Sequence, residues 1–381
     1  NYVWLLPGPP EHVPLRANFS ETQLRAALQD IAARYDQPPS SPKPIPGTLN
    51  FSPGEPGRSL DVETSLDIVA ALLRQPQQRR AALAVLQGGA ARPTLDSLAD
   101  LLKQRAADQG FLGLLDAVVV DLQTGRELHL LHYQGQPFPT DPDAAFSGMD
   151  LMKLPLMLAA YRQWQPPDPD DERLVIETIE LSGDDAANNL LARLGDGDSA
   201  LGVERVTAML AELGLSNSFL AGRFDPSATP TAAPGTPANQ REDLNTRASP
   251  LMQTTPSDLA YLLTAIYQCA QEGRRPAGTF AVVYPAELTR AECQSMLDAL
   301  ARNRIGVLIE AGVPEGIRIA HKQGWVGDTI GDAAIVFTPG GDYIFCIFLW
   351  QPDYLPWEVS SPLIADLSRA VYSYFNTQFG P

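Results

Sequence analysis

The stretch Phe146-Ser-Gly-Met-Asp-Leu-Met-Lys-Leu-Pro155, continuing into Leu156-Met-Leu-Ala-Ala-Tyr-Arg162, decides how the rest of the chain is read. Its pattern predicts a sharp turn entering a buried helix. Between residues 146 and 155 the one cation is Lys153, a single helical turn after Asp150, so the two side chains share a face. A buried ammonium needs a counter-charge, and Asp150 is the nearest candidate.

Composition sets the outer bounds. A chain of 381 residues exceeds the usual single-domain size and predicts two domains, while 44% hydrophobic residues is a globular composition. The formal net charge of −17 argues against nucleic acid and anionic membrane surfaces as partners. No run of about eighteen apolar residues occurs, so no transmembrane segment is expected in this chain. The three cysteines, Cys269, Cys293 and Cys346, lack the paired C-x-x-C spacing of a structural zinc site, and no metal or cofactor is expected. Cys346 sits in an apolar run and is expected to be a buried thiol. Cys269 and Cys293 fall on two separate predicted helices. They can bridge in an oxidising compartment or remain thiols, and the sequence leaves both open.

Along the chain, residues 1 to about 16 are Pro-rich and aperiodic. Asn18-Phe-Ser-Glu-Thr-Gln23 then opens a helix with a capping pattern. The segment from Gly47 reads as a strand, a Gly/Pro turn and a helix begun at Asp61 or Thr64. A boundary is expected near Pro93, giving a small α+β domain over 1–92 and a larger domain over 93–381. In the second domain, Leu114–Leu122 and Arg126–Tyr133 read as two strands of a hairpin. His129 and His132 lie three apart on one strand, hence on opposite faces, and are read as ordinary strand residues. Three more strands follow around Ile317–Trp325, Asp332–Phe337 and Tyr343–Trp350, and a helix closes the chain. The helical middle, from 150 to about 305, forces strands from both ends into one sheet. The expected fold is α+β: an antiparallel five-stranded sheet with flanking helices and an all-helical insertion.

Three fragments, in order, resemble the signature set of class A β-lactamases and penicillin-binding proteins, over about residues 93–381. Asp150-Leu-Met-Lys153 stands in the Ser-x-x-Lys place, Ser182-Gly-Asp184 in the Ser-Asp-Asn place, and Lys322-Gln-Gly324 in the Lys-Thr-Gly place. Thr254-Thr-Pro-Ser-Asp-Leu-Ala-Tyr-Leu-Leu263 is similar to a family helix start. The resemblance implies that Asp150 occupies the nucleophile position, Lys153 that of the proton-shuttling lysine, Ser182 that of the relay hydroxyl and Lys322 that of the carboxylate-recognising cation. Asp184, Gln323, Gly324 and Trp325 fall at substrate-binding positions, with the Asp150 and Trp325 backbone N–H groups at the oxyanion hole. Arg241-Glu-Asp-Leu-Asn245 resembles the family's Glu-x-x-Leu-Asn loop. There Asn245 matches a substrate-binding position, but Arg241 replaces the deacylating glutamate. Over about residues 17–91 the chain resembles the peptidoglycan-binding domain of VanW-type wall proteins, on the turn Gly57-Arg-Ser-Leu-Asp61.

A carboxylate is a poor nucleophile toward an amide, and its charge lies where an oxyanion would develop, so turnover through an acyl-serine is excluded at residue 150. The expectation is a β-lactamase-like protein of the cell envelope, inactive as it stands, binding peptidoglycan fragments or β-lactam-like small molecules. Its expected location is extracytoplasmic, either secreted or anchored through a segment absent here. The competing readings are an active serine hydrolase of β-lactams or D-Ala-D-Ala peptides with an altered nucleophile, and a purely structural or protein-binding role.

Overall fold

The runs Leu114–Asp121 and Tyr343–Trp350 are apolar at nearly every position, which a strand adopts when both of its faces are covered. In the computed structural model they are central neighbours, paired antiparallel from Tyr343 opposite Asp121 to Trp350 opposite Leu114. The alternation of strand side chains sorts one run into two cores. Ile344, Cys346, Phe348 and Trp350 pack with the helical insertion. Tyr343, Phe345, Ile347 and Leu349 pack with the helices Leu95–Asp108 and Trp357–Phe375.

The structure describes residues 18–52, 54–75, 80–88, 92–164, 167–225, 227–228, 230, 233–271, 280–284 and 287–377. The Pro-rich start, residues 1 to 16, lies outside them. The chain divides into two units, Asn1–Lys43 with Ser52–Pro93, and Pro44–Phe51 with Thr94–Pro381. The run 44–51, which precedes the boundary expected near Pro93, thus belongs with the second unit. There Phe51 is buried, its ring meeting Tyr374 edge to face at 6.1 Å.

In the first unit, Ser20 caps the helix Glu21–Tyr35 and Asp61 caps Val62–Leu73, accepting the Thr64 N–H at 3.0 Å. Strands Arg58–Leu60 and Val85–Gln87 pair antiparallel. Gly57 is required at the turn, because a Cβ there would stand 2.6 Å from Pro39 Cδ.

In the second unit the main sheet runs Arg318–Trp325, Thr329–Phe337, Tyr343–Trp350, Leu114–Asp121, Glu127–Tyr133, then the two-residue strand Gln136–Pro137. These are the five expected strands with a short sixth at one edge. Gln134 and Gly135, with φ of 50° and 75°, make the tight turn before it. The insertion, expected to be all-helical, also carries a three-stranded ribbon in the order Phe146–Ser147, Met252–Thr254, Phe219–Leu220. Pieces of two or three residues are too short to show a strand period. The pairing left open for the cysteines is settled: Cys269 and Cys293 form a disulfide between helices Pro256–Ala270 and Arg290–Arg302, with Cα atoms 5.9 Å apart. Cys346 is a buried free thiol.

Candidate active site

The turn read from Phe146 onward is built in two steps. Ser147 pairs with Gln253 on the ribbon, and Met149 then takes a left-handed φ of 50° that redirects the chain. A 3-10 turn, Met149–Met152, follows and feeds the helix Lys153–Gln163. Pro155 sits in the first turn of that helix, where the N–H it lacks would have had no intrahelical partner. Residues Lys153 to Tyr161 are all buried.

The turn meets the edge strand of the sheet at Gly324. A Cβ on Gly324 would lie 2.8 Å from Met149 Cβ and 2.9 Å from the Asp150 nitrogen, so only glycine lets the strand pass there. This close approach brings the Asp150 backbone amide to the strand that carries Lys322.

Around it lies a compact charge cluster. Lys153 Nζ, fully buried, donates to Asp150 Oδ1, Ser182 O and Asp184 Oδ1, each at 2.7 Å. Its three protons are thereby matched to three acceptors. The ring of Phe224 lies 5.2 Å from the same nitrogen. Lys322 Nζ, also fully buried, donates to Ser182 Oγ at 2.6 Å and to the Gln323 carbonyl at 3.2 Å, and stands 3.8 Å from Asp150 Oδ2. Asp150 therefore faces one lysine with each oxygen. Ser182 joins the same two lysines, through its carbonyl and its hydroxyl, and does so in a left-handed conformation with φ of 53°. Such a conformation costs a non-glycine residue about 1–2 kcal/mol and persists when its surroundings enforce it.

Burial pushes the Lys322 ammonium down to about 8, and the positive charge of Lys153 acts in the same direction, against the pull of Asp150, Asp332 and Asp184. Chemically the cluster is two cations and two carboxylates bridged by one hydroxyl. It holds no hydroxyl or thiol at residue 150, and both oxygens of that carboxylate face ammonium groups.

A cleft of about 520 Å³ opens onto this cluster, lined by Asp150, Asp184, Gly324 and Trp325 together with Phe224 and Asp225. Asp150, Lys153, Ser182, Asp184 and Lys322 are thus brought together from three separate segments. Gln323 is not oriented to the cleft: its side chain is buried and accepts from Asn303 Nδ2 at 2.7 Å, leaving only its carbonyl near Lys322. Asn245 lies outside the cleft, beside a separate cavity of about 170 Å³, with its Oδ1 accepting from the Arg247 N–H at 2.9 Å. Arg241 is a buried brace, paired with Asp243 at 2.8 Å and donating to the carbonyls of Pro139 and Pro142.

Sequence reasoning missed Phe224 and Asp225. Phe224 is fixed by Asn188, which bonds both its N–H and its carbonyl, at 2.9 and 3.0 Å. Asn188 lies in the segment Asp185-Ala-Ala-Asn-Asn-Leu-Leu191, which is similar to the family's "TAANLLL" helix, so half of that signal was visible. His129 is more than an ordinary strand residue. Its Nε2 sits 2.8 Å from Oδ1 of Asp116, which is fully buried. Burial alone depresses a histidine, but here the Asp116 carboxylate overrides it and His129 is raised.

The fold is a class A β-lactamase-like α+β architecture. PBP-A superimposes with a TM-score of 0.52 at 22% identity, covering 75% of this chain and 100% of that one. A mutant of PBP-A has been solved as an acyl-enzyme complex with penicillin G. The β-lactamase of Sphaerobacter thermophilus DSM 20745 gives a TM-score of 0.52 at 21% identity, over 74% of this chain and 97% of its own. An ancestral class A β-lactamase, that of the last common ancestor of Gram-negative bacteria, gives 0.50 at 21%, over 72% and 98%. These likenesses concern the fold alone.

The model of the "Beta-lactamase enzyme family" matches residues 172–375, more than half of the chain, and the chain belongs to that family. The match begins downstream of Asp150 and Lys153, whose positions rest on the geometry above. Residues 4–82 match the model described as "Putative peptidoglycan binding domain". No curated protein matches the sequence.

Proposed function

We propose that this protein is a non-acylating member of its family that acts in the cell envelope. In this reading the cleft reversibly holds carboxylate-ended peptides of peptidoglycan, and residues 1–92 serve as a wall-binding or spacer domain. The observation that carries the reading is the Asp150 carboxylate at the helix start, engaged by two buried lysines. A carboxylate attacking an amide would form a mixed anhydride, more reactive than its precursor, so the position favours binding over acyl transfer. A ligand carboxylate is held from the Ser182 hydroxyl with the charge of Lys322 behind it. The Cys269–Cys293 disulfide supports an oxidising, extracytoplasmic location. Among the described residues, no helix is long and apolar enough to cross a membrane.

The test has two arms. Incubation with a fluorescent penicillin followed by gel and intact-mass analysis is expected to show no covalent adduct, while titration with a D-Ala-D-Ala pentapeptide is expected to show saturable, reversible binding. A stoichiometric adduct would overturn the non-acylating reading. Were the adduct mapped to Ser182, the protein would be a serine hydrolase with a displaced nucleophile.

A further inference from the structure

The strand that carries Lys322 ends in an exposed indole. Trp325, with 52% of its surface accessible, closes one side of the cleft. Its other side opens onto a second groove of about 350 Å³, floored by Ile330 and Leu355 and walled by Tyr354 and Trp357. The Trp325 and Trp357 rings meet edge to face at 5.0 Å, and Tyr354 is 61% exposed. Two backbone bonds hold the groove open: Val326 N–H to Thr329 O, and Leu355 N–H to Gly327 O, each 2.8 Å. Single exposed aromatics need no explanation, but a preformed groove with two indoles and a phenol at its rim is a patch that a partner covers.

We propose that this groove is a sugar-binding shelf, receiving a neutral pyranose ring of the glycan whose attached peptide lies in the neighbouring cleft. The occupant follows from three features. The shelf and the cleft are continuous through Trp325, so a ligand in one has its covalent neighbour in the other, and in peptidoglycan the neighbour of a peptide is an N-acetylated amino sugar. Among the described residues no charged side chain lines the groove, which suits an uncharged ring better than an ionic polymer, and the net charge of −17 disfavours anionic polymers further. Indole and phenol faces carry the negative lobe of the ring quadrupole, which attracts the polarised C–H face of a pyranose. The volume falls within the range of roughly 300–1,000 Å³ of small-molecule sites. The inference rests on the reading of the cleft as a wall-peptide site and adds the sugar to it.

Calorimetry on the full chain with three probes separates the two readings: the free pentapeptide, the same pentapeptide on its N-acetylglucosamine–N-acetylmuramic acid disaccharide, and the peptide-free disaccharide. The glycopeptide is expected to bind roughly tenfold tighter than the pentapeptide, the scale of one stacked ring. Trp325→Ala and Tyr354→Ala should each erase that gain, with Tyr354→Ala leaving pentapeptide affinity unchanged. Both side chains are largely exposed, and a melting curve like that of the parent protein checks that each variant folds. Equal affinity for the two peptides, or a gain that survives both substitutions, overturns the shelf while leaving the cleft reading intact. Should the pentapeptide not bind at all, the cleft reading fails and the disaccharide decides the shelf. Tryptophan fluorescence quenched by disaccharide in the parent protein and not in Tyr354→Ala upholds it; no response in either overturns it.

Discussion

Asp150 Oδ1 and Lys153 Nζ are joined at 2.7 Å across one turn of helix entry, with the lysine fully buried and the carboxylate at the floor of an open cleft. The buried lysine is therefore the member of the pair whose loss costs more, because it alone serves two carboxylates. With Asp150 gone, Asp184 still neutralises Lys153, whereas with Lys153 gone two neighbouring carboxylates face each other. Lys153→Met is expected to cost about 2–4 kcal/mol and Asp150→Asn about 1 kcal/mol, with non-additivity in the double variant. Urea denaturation of the four proteins measures the cycle.

Asp150→Ser tests whether the residue is the chief obstacle to acylation. The new hydroxyl would stand beside Lys153, with Ser182 and Lys322 already placed and the backbone amide of residue 150 against Gly324. Slow acylation by penicillin is expected, seen as one added penicillin mass. The adduct should persist, because Arg241 is locked to Asp243 and two loop carbonyls and cannot activate water. Rapid turnover would require a base elsewhere.

Lys322 gives a pH signature. Its charged form is present below about 8 and titrates away above it. Affinity for a carboxylate-ended peptide should be flat up to about pH 8 and then weaken toward tenfold per unit, because binding selects the ammonium. The folding term has the opposite sign. With the folded pKa below the 10.5 of a free lysine, the unfolded chain binds more protons between about 8 and 10.5, so this group's contribution to stability rises with pH in that window. Binding and melting measured across pH 6 to 10 read the two effects separately, and the Lys322→Met variant should show neither.

The disulfide closes a loop of sequence separation 24, which corresponds to about 3 kcal/mol of stabilisation. Reduction, or Cys269→Ser with Cys293→Ser, should lower the free energy of unfolding by that amount without changing peptide affinity, since neither cysteine lines the cleft.

His129→Leu leaves Asp116 buried without its partner, and Asp116 Oδ2 already lacks one. The expected cost is about 3–5 kcal/mol at neutral pH. It should shrink on acidification, since burial raises the Asp116 carboxyl and protonation removes the stranded charge.

The sequence by itself determined the sheet and the order of the site. An eight-residue apolar run rich in Ile and aromatic residues, such as Tyr343–Trp350, reads as a strand covered on both faces, and the spacing of Asp150 and Lys153 puts them on one helical face whatever surrounds them, because both signals are local. What the tertiary structure decided is how distant segments meet. Gly324 carries no local mark of lying 2.9 Å from the Asp150 nitrogen, and nothing near Ser182 announces that its carbonyl and hydroxyl serve two different lysines in a left-handed conformation. Asn245, matched on a loop motif, lies away from the cleft, while Phe224 and Asp225, matched on nothing, line it. Periodicity follows from the geometry of the backbone within a segment. Contacts between segments follow from packing, which depends on the shapes of all the neighbours at once.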